Sequence, residues 1–232
     1  MLFRSEITYR TPDALFNGQA TVNVIQSCVP NIKNAWKMPV VDLNPVLIAI
    51  RIATSGHTIE MSSTCPSCTE SNDYEIDLRS VLSSMSTVDF SKPISYMDME
   101  IYFVPMTYEN QNKINVLQYE QQRAMVSVAQ SDANEETKNT MLNKILSDIT
   151  KVTIEAIKHS IGSIRTPQSI VVEPEYIEEF LNNCDKNLFN KIKDHVVQLR
   201  NDNDMKPLKM TCAHCQTQYE QELALDSSNF FD

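Results

Sequence analysis

The chain has 232 residues, and 42% of them are hydrophobic, which is enough to bury a core in one large domain or two small ones. Thirty acidic and 20 basic side chains give a formal charge of -10, so we expect no broad phosphate-binding surface and no nucleic-acid partner. No apolar run approaches the roughly 20 residues that a membrane span needs.

The N-terminal part of the chain is expected to be mainly helical, because only three glycines occur in the whole sequence. The stretch from Thr11 to Ile32 is ambiguous, since Gly18 interrupts its helical pattern and Pro30 ends it. The next segment is clearer. An Asn44 cap, Pro45 at the first helical position and Gly56 beyond the end predict a central buried helix.

The period of the pattern changes after this helix. From His57 to Leu78 apolar residues alternate on both sides of a Cys-x-x-Cys pair, which predicts a strand, a metal-binding knuckle and a second strand. A short helix is predicted from Leu78 to Met85. The segment from Ile94 to Val104 is typical of a hairpin that turns near Asp98.

Two long helices are predicted in the middle of the chain, and together they form an antiparallel hairpin. The first is capped by Thr107 and runs to about Gln130. The second is capped by Asp132 and runs to about Ile161, with Gly162 past its end.

The last third of the chain is predicted to return to a strand pattern through two shorter helices. Ser169 to Val172 is a short strand, Pro174 opens a helix that ends near Cys184, and Asp185 caps another helix. The run from Asn201 to Asp204 is predicted as a loop. Beyond it, the alternation from Leu208 to Leu225 surrounds a second Cys-x-x-Cys pair.

The two Cys pairs predict one metal site. A Cys-x-x-Cys turn places two sulfurs about 3.5 to 4 Å apart, which is an edge of a tetrahedron with metal–sulfur bonds of about 2.3 Å. The start of the chain, Met1 to Glu6, has no apolar signal-peptide core, so we expect reduced thiols, and a metal rather than disulfides. The expected ion is one structural Zn²⁺ per chain. Its predicted ligands are Cys65, Cys68, Cys212 and Cys215.

The spacing of the pairs is unusual, because 143 residues separate Cys68 from Cys212 whereas a zinc ribbon has roughly 15 to 20. The similar strand patterns around both pairs favour a ribbon split by a helical insertion. Thiols without metal remain the alternative. Catalysis is not expected, because four cysteines leave no open coordination position, a strand rather than a helix follows Cys68, and the zinc-deaminase signature is absent.

The other candidate ligands receive structural interpretations. His57, His159 and His195 have no partners at ligand spacing and are expected in loops or on the surface, and His214 is expected to face solvent or a thiolate. Cys28 and Cys184 are interpreted as small buried hydrophobic residues. The Phe230-Phe231 pair can serve as a structural plug or can contact a neighbouring protein.

The predicted fold class is therefore α+β, with a split zinc-ribbon-like β module and a large, mainly helical insertion. Residues 1–56 are predicted to be a mainly helical segment that packs on the core. Residues 57–106 form the first ribbon half and the hairpin, 107–204 the helical insertion, and 205–232 the second ribbon half that closes the module.

Several runs of this sequence resemble the baseplate hub proteins of T-even-type contractile-tailed bacteriophages. They are the run from Thr11 to Gly18, the run from Val24 to Cys28, the run from Ala49 to Ala53 before Cys-Pro-x-Cys, and the ending from Asp226 to Phe231. The resemblance spans nearly the whole chain and implies a viral structural or assembly protein of the tail hub without catalysis. It implies a virion location after assembly in host cytoplasm, with other hub proteins, and also copies of itself, as partners.

Two alternatives stay open at this point. One is an assembly chaperone of the tail hub that is absent from the mature virion. The other is a zinc-ribbon regulator that binds a host protein, although the acidic charge counts against direct contact with DNA.

Overall fold

The structure is a computed structural model that describes residues 18–203 and 205–223. The predicted helix start at Thr11, the loop residue Asp204 and the Phe230-Phe231 pair lie outside the described residues. The described elements, in chain order, are α1 (Gln19–Cys28), α2 (Leu43–Ser55), β1 (Thr58–Thr64), β2 (Ser71–Asp77), α3 (Leu78–Ser84), β3 (Ile94–Tyr96), β4 (Met99–Phe103), α4 (Tyr108–Gln130), α5 (Glu135–Lys158), β5 (Ile161–Arg165), β6 (Ile170–Val171), α6 (Pro174–Asn183), α7 (Lys186–Asn203), β7 (Leu208–Thr211) and β8 (Gln218–Gln221).

The first half of the chain packs into a hydrophobic core that we call the N-terminal cluster. It combines α1, α2 and α3 with two 3₁₀ turns, Ala35–Lys37 and Val40–Asp42. Met61 and Ile76 of the first β-hairpin pack against it, as does Leu208 of β7. Both halves of the split ribbon therefore rest on one core. Its buried residues are Val22, Ile25, Ala35, Met38, Leu47, Ile48, Ile50, Leu78, Val81 and Leu223.

The second half packs into a separate core that we call the insertion cluster. A four-stranded antiparallel sheet of order β3-β4-β5-β6 packs there with the end of α5 and with α6 and α7. The hairpin before the long helices thus shares a sheet with two strands that follow them. Its buried residues are Ile94, Ile101, Phe103, Ile157, Ile161, Ile164, Ile177, Leu181, Leu188 and Ile192.

The local signals predicted most elements. The first strand–knuckle–strand unit, the short helix after it and the hairpin through Asp98 are confirmed. Thr107 caps α4 by accepting a hydrogen bond from the Asn110 backbone N–H, and Asp185 caps α7 in the same way at Leu188. The antiparallel pair of long helices is also confirmed.

Two predicted helix caps are wrong. Helix α2 begins at Leu43, so Asn44 lies inside its first turn and is not the cap. For α5 the cap is Asn134 and not Asp132, because the Asn134 side chain accepts a hydrogen bond from the Thr137 backbone N–H at 2.9 Å. Both errors reflect a choice among adjacent polar residues that spacing alone does not resolve.

The largest correction concerns the end of α5. The helix stops at Lys158, and Ile161 and Gly162 belong to strand β5, which the sequence pattern missed. The pairing register between β4 and β5 shifts at this point, since Tyr102 pairs with Ser163 whereas Phe103 pairs with Ile161. Gly162 is therefore the extra residue of a β-bulge, and a Cβ there would lie 2.6 Å from the Val104 side chain.

The loop predicted from Asn201 to Asp204 is also wrong as far as the structure describes it, because α7 continues through Asn203. Polar side chains remain compatible with an exposed last helical turn. The Ser86 hydroxyl donates to the Asp202 carbonyl oxygen at 2.8 Å, which holds the loop after α3 against this turn.

His195 supplies a pH dependence in the insertion cluster. Its ring lies 4.7 Å from the Phe103 ring, and burial lowers its pKa, with Asp202 opposing this weakly. Because the folded pKa lies below the unfolded value of about 6.5, the unfolded chain binds more protons between the two values. The free energy of unfolding should therefore fall as pH is lowered from 7 through this window.

Urea unfolding at a series of pH values, with metal saturating, tests this prediction. We expect the free energy of unfolding to fall by about 1 kcal/mol for each pH unit that separates the folded and unfolded pKa values of His195. The His195→Gln variant should lose this part of the pH dependence, and an unchanged profile in the variant would contradict the assignment.

Candidate metal centre

The two Cys-x-x-Cys turns have the same backbone geometry. In the first, the Cys65 N–H donates to the Glu70 carbonyl and the Cys65 carbonyl accepts from the Thr69 N–H. In the second, Cys212 makes the equivalent bonds with Thr217 and Gln216. Thr69 and Gln216 both have a φ of 61°, a left-handed conformation that closes each turn. The chain therefore builds the same knuckle twice.

The knuckles face each other and bring all four sulfurs together. The Sγ atoms of Cys65 and Cys215 lie 3.7 Å apart, and those of Cys68 and Cys212 lie 3.6 Å apart. All four atoms lie within 4.8 Å of one another. A tetrahedral ion with bonds of about 2.3 Å needs edges of about 3.8 Å. The set can therefore hold one metal ion, and four thiolates suit zinc.

The four cysteines differ in burial and in acidity. Cys65 and Cys212 are fully buried, whereas Cys215 is exposed. The side chain and backbone of Thr217 hold the pKa of Cys215 at about 6, and the backbone N–H of Cys215 lowers the pKa of Cys212. At Cys68 the backbone of Glu70 lowers the pKa, but burial and the other sulfurs outweigh it and raise the pKa to about 12.

The Cys215 thiol therefore loses its proton near neutral pH. A divalent cation at the centre would displace the remaining protons, so binding should strengthen as pH rises.

Asn72 supports the site from the first ribbon half. Its side-chain oxygen accepts a hydrogen bond of 2.9 Å from the Ala213 N–H, and its Nδ2 donates to the Glu70 carbonyl at 3.0 Å. The amide also lies 3.6 Å from the sulfur of Cys212. One buried side chain thus links both knuckles and orients a ligand, as residues behind the ligands of metal sites commonly do.

A polar contact continues behind the knuckles. The Tyr74 hydroxyl donates to the Thr211 carbonyl oxygen at 3.1 Å and lies 3.1 Å from the Tyr219 hydroxyl. This hydrogen bond with Tyr219 raises the pKa of Tyr74 to about 12, so Tyr74 remains a donor near neutral pH. The Ser63 hydroxyl donates to the Gln221 side chain at 2.8 Å. Hydrogen bonds therefore link the two hairpins, in addition to the close approach of the four sulfurs.

The sequence pattern did not identify Asn72, Tyr74, Ser63 or Tyr219 as site residues. Their partners lie 137 to 158 positions away along the chain, as for Tyr74 with Thr211 and Ser63 with Gln221. The usable signal was their position in strands that flank the knuckles. No local rule specifies which strand residues face the opposite hairpin.

The residues predicted to be non-ligands lie away from the four sulfurs or face solvent. His214 is exposed, and His57 precedes β1. His159 and His195 are both half-buried and so lie only partly on the surface; His159 Nε2 lies 2.9 Å from the Glu155 carboxylate. Cys28 and Cys184 are half-buried against the two hydrophobic clusters, so full burial is not confirmed.

Comparison with known families identifies the chain. The model of the family described as T4 bacteriophage base plate protein matches residues 5–232, which include both knuckles and the whole segment between them. The chain belongs to this family. No curated protein and no solved structure matches significantly. The T4 bacteriophage base plate family implies a structural protein of the phage baseplate that interacts with other baseplate proteins.

None of the helices in the described part of this base plate family member combines the length and apolar character needed to cross a bilayer.

The link formed by Asn72 can be tested by substitution. Asn72→Leu keeps the volume but leaves the Ala213 N–H and the Glu70 carbonyl without their partner, so we expect a loss of about 1–3 kcal/mol in stability. Metal affinity should fall about 10–100-fold. Chemical unfolding and competition with a chelator measure the two effects.

The neighbouring strand residue Asp73 provides the matched control. It is exposed and bonds only to the Ser62 hydroxyl among the contacts described, so Asp73→Asn should leave metal affinity unchanged. Equal effects of the two substitutions would argue against a specific role for Asn72.

Proposed function

We propose that this base plate family member is a structural subunit of the central hub of a contractile-tail baseplate, with one structural zinc ion and no catalytic activity. The observation that carries the proposal is the convergence of four sulfurs from residues 65–68 and 212–215 in a chain whose family match spans 5–232. The runs from Thr11 to Gly18 and from Asp226 to Phe231 support the assignment to the hub by their resemblance to hub proteins.

Zinc is proposed because of the donor set. Four thiolates in tetrahedral proximity suit Zn²⁺, whereas Mg²⁺ and Ca²⁺ prefer oxygen ligands. Four protein ligands would complete the coordination sphere, so neither water nor substrate would find an open position. This argument supports a structural role and speaks against metal-assisted catalysis at this site.

The exposed apolar surface supports contact with neighbouring proteins. Within the described residues, the large apolar side chains that are exposed all lie between positions 97 and 197. Met97 is 84% exposed, Ile170 62% and Tyr176 61%. Met97 lies in the turn between β3 and β4, Ile170 lies in β6 of the same sheet, and Tyr176 lies in α6. The proposal therefore assigns stiffness to the ribbon, and contact with other hub proteins to the insertion and the β3–β4 hairpin that shares its sheet.

The metal content tests the zinc part of the proposal. Elemental analysis of the purified chain should give one zinc atom per chain, and Cys212→Ser should lose most of it. Because one ion is shared, hydrogen exchange should accelerate in strands β1 and β2 as well as in β7 and β8. Cys28 is not one of the four proposed ligands, so the Cys28→Ser variant should retain one zinc atom per chain.

Zinc at zero or two atoms per chain would contradict the shared site. Faster exchange confined to residues 208–221 in Cys212→Ser would show that the two knuckles do not depend on one ion.

The hub assignment is tested in the particle itself. In tails purified from a phage that encodes this chain, we expect the protein at a fixed copy number and, in a reconstruction, density for it on the central axis of the baseplate. Its absence from finished tails, with failure of assembly when it is deleted, would favour an assembly chaperone. A location at the baseplate rim would contradict the hub assignment while preserving the family.

A further inference from the structure

An apolar groove crosses the junction of the two hydrophobic clusters. Its deeper part is a cavity of about 120 Å³ between the segment from Val104 to Met106 and helices α4, α5 and α7. A wider cleft of about 460 Å³ adjoins it beside the loop after α3. The two share four lining residues, so we treat them as one docking groove. The shared residues are Val41, Phe90, Pro105 and Asn203.

We propose that this docking groove binds the chain's own segment 224–232, with Phe230 and Phe231 as its apolar anchors. The sequence of this segment is Ala-Leu-Asp-Ser-Ser-Asn-Phe-Phe-Asp. Two adjacent aromatic side chains match a groove with two connected apolar compartments, because burial of aromatic rings contributes most of the affinity in such sites.

The sheet register brings the start of this segment to the groove. Leu208, the first residue of β7, pairs with Gln221, the last residue of β8, so the chain enters β7 and leaves β8 at the same end of the hairpin. Asn203, which lines both compartments, lies only five residues before Leu208. Leu223 is itself buried in the N-terminal cluster, so the chain leaves β8 on the side of that core and not toward solvent.

The length of the segment is sufficient. Phe230 lies seven residues beyond Leu223, and an extended chain covers up to about 3.3 Å per residue, or roughly 23 Å. Asn203, at the edge of the groove, lies five residues before Leu208 and is therefore within roughly 17 Å of the end of the β7–β8 hairpin from which the segment departs. Because the segment is covalently attached, its effective concentration is in the mM range, which favours it over a free partner.

Charge supports the same occupant. Arg200 lines the deeper compartment, and the segment carries Asp226 and Asp232 but no basic residue. Asp232 directly follows the two phenylalanines, so it would reach the mouth of the compartment when the rings are inserted. An ion pair with Arg200 would fix the direction of the segment.

The test uses the full-length chain and methyl NMR. Phenylalanine rings shift the resonances of methyl groups that they contact, so the Phe230→Ser/Phe231→Ser variant should move the resonances of Val104, Val196 and Leu199. The Tm should fall by several degrees. Tyr176→Ser removes an exposed aromatic ring outside the groove, so it should change neither these methyl resonances nor the Tm.

A charge exchange tests the direction of binding. Arg200→Asp or Asp232→Arg alone should lower the Tm, and the two substitutions combined should restore it in part. This rescue is not expected if Arg200 makes no contact with Asp232.

Three outcomes would overturn the proposal. Groove methyl resonances that do not respond to the double Phe variant would show that the segment binds elsewhere. Contacts seen only between differently labelled copies would make a second copy the occupant. Resonances that move only on addition of another baseplate protein would make that protein the occupant. The readouts of the Phe variant and of the charge exchange use the isolated chain, so they do not depend on the proposed hub function.

Discussion

The closure of residues 65–68 against 212–215 is the constraint on which the rest of the structure depends. Holding the ends of a 143-residue excursion together costs roughly 4 kcal/mol of loop entropy, plus a constant. The zinc ion proposed for the four sulfurs would contribute about 10–16 kcal/mol at neutral pH, as in zinc-finger peptides, which is enough to offset this cost. The hydrogen bonds of Asn72 and Ser63 across the hairpins then fix which faces meet.

This closure leaves the chain between the knuckles free to build a second core. The sheet β3-β4-β5-β6 joins strands from both sides of the long helical pair, so the chain must return to its starting point after α5. The bulge at Gly162 makes that return possible, because the absence of a Cβ lets Val104 pack closely on β5. The two hydrophobic clusters therefore depend on two separate long-range pairings. One is the approach of the two Cys knuckles, and the other is the pairing of β4 with β5 in the four-stranded sheet.

The success of the sequence-based predictions depended on the range of the interaction. The caps Thr107 and Asp185 were predictable because each acts on residues two or three positions away. The meeting of the two knuckles was predictable because metal chemistry supplies a long-range rule that links four cysteines. Strand β5 was not predictable, because Ile161 continues the apolar stripe of the preceding helix and an apolar residue at that position suits a strand equally well. Asn72 was missed for a similar reason, since no rule of spacing connects it with Ala213.

Polar and apolar side chains are distributed differently between the ribbon hairpins and the rest of the described chain. The inner face between the ribbon hairpins is filled by Tyr74, Tyr219 and Ser63, whose hydroxyl groups bond to one another or to the opposite hairpin. Among the described residues, the exposed large apolar side chains begin at Met97 and end at Val197. A ribbon with satisfied polar groups gains little from further contact, whereas exposed apolar side chains gain by burial. In the function proposed above, the ribbon therefore keeps its own fold independent of its neighbours, and the exposed large apolar side chains between Met97 and Val197 would provide the area that assembly buries.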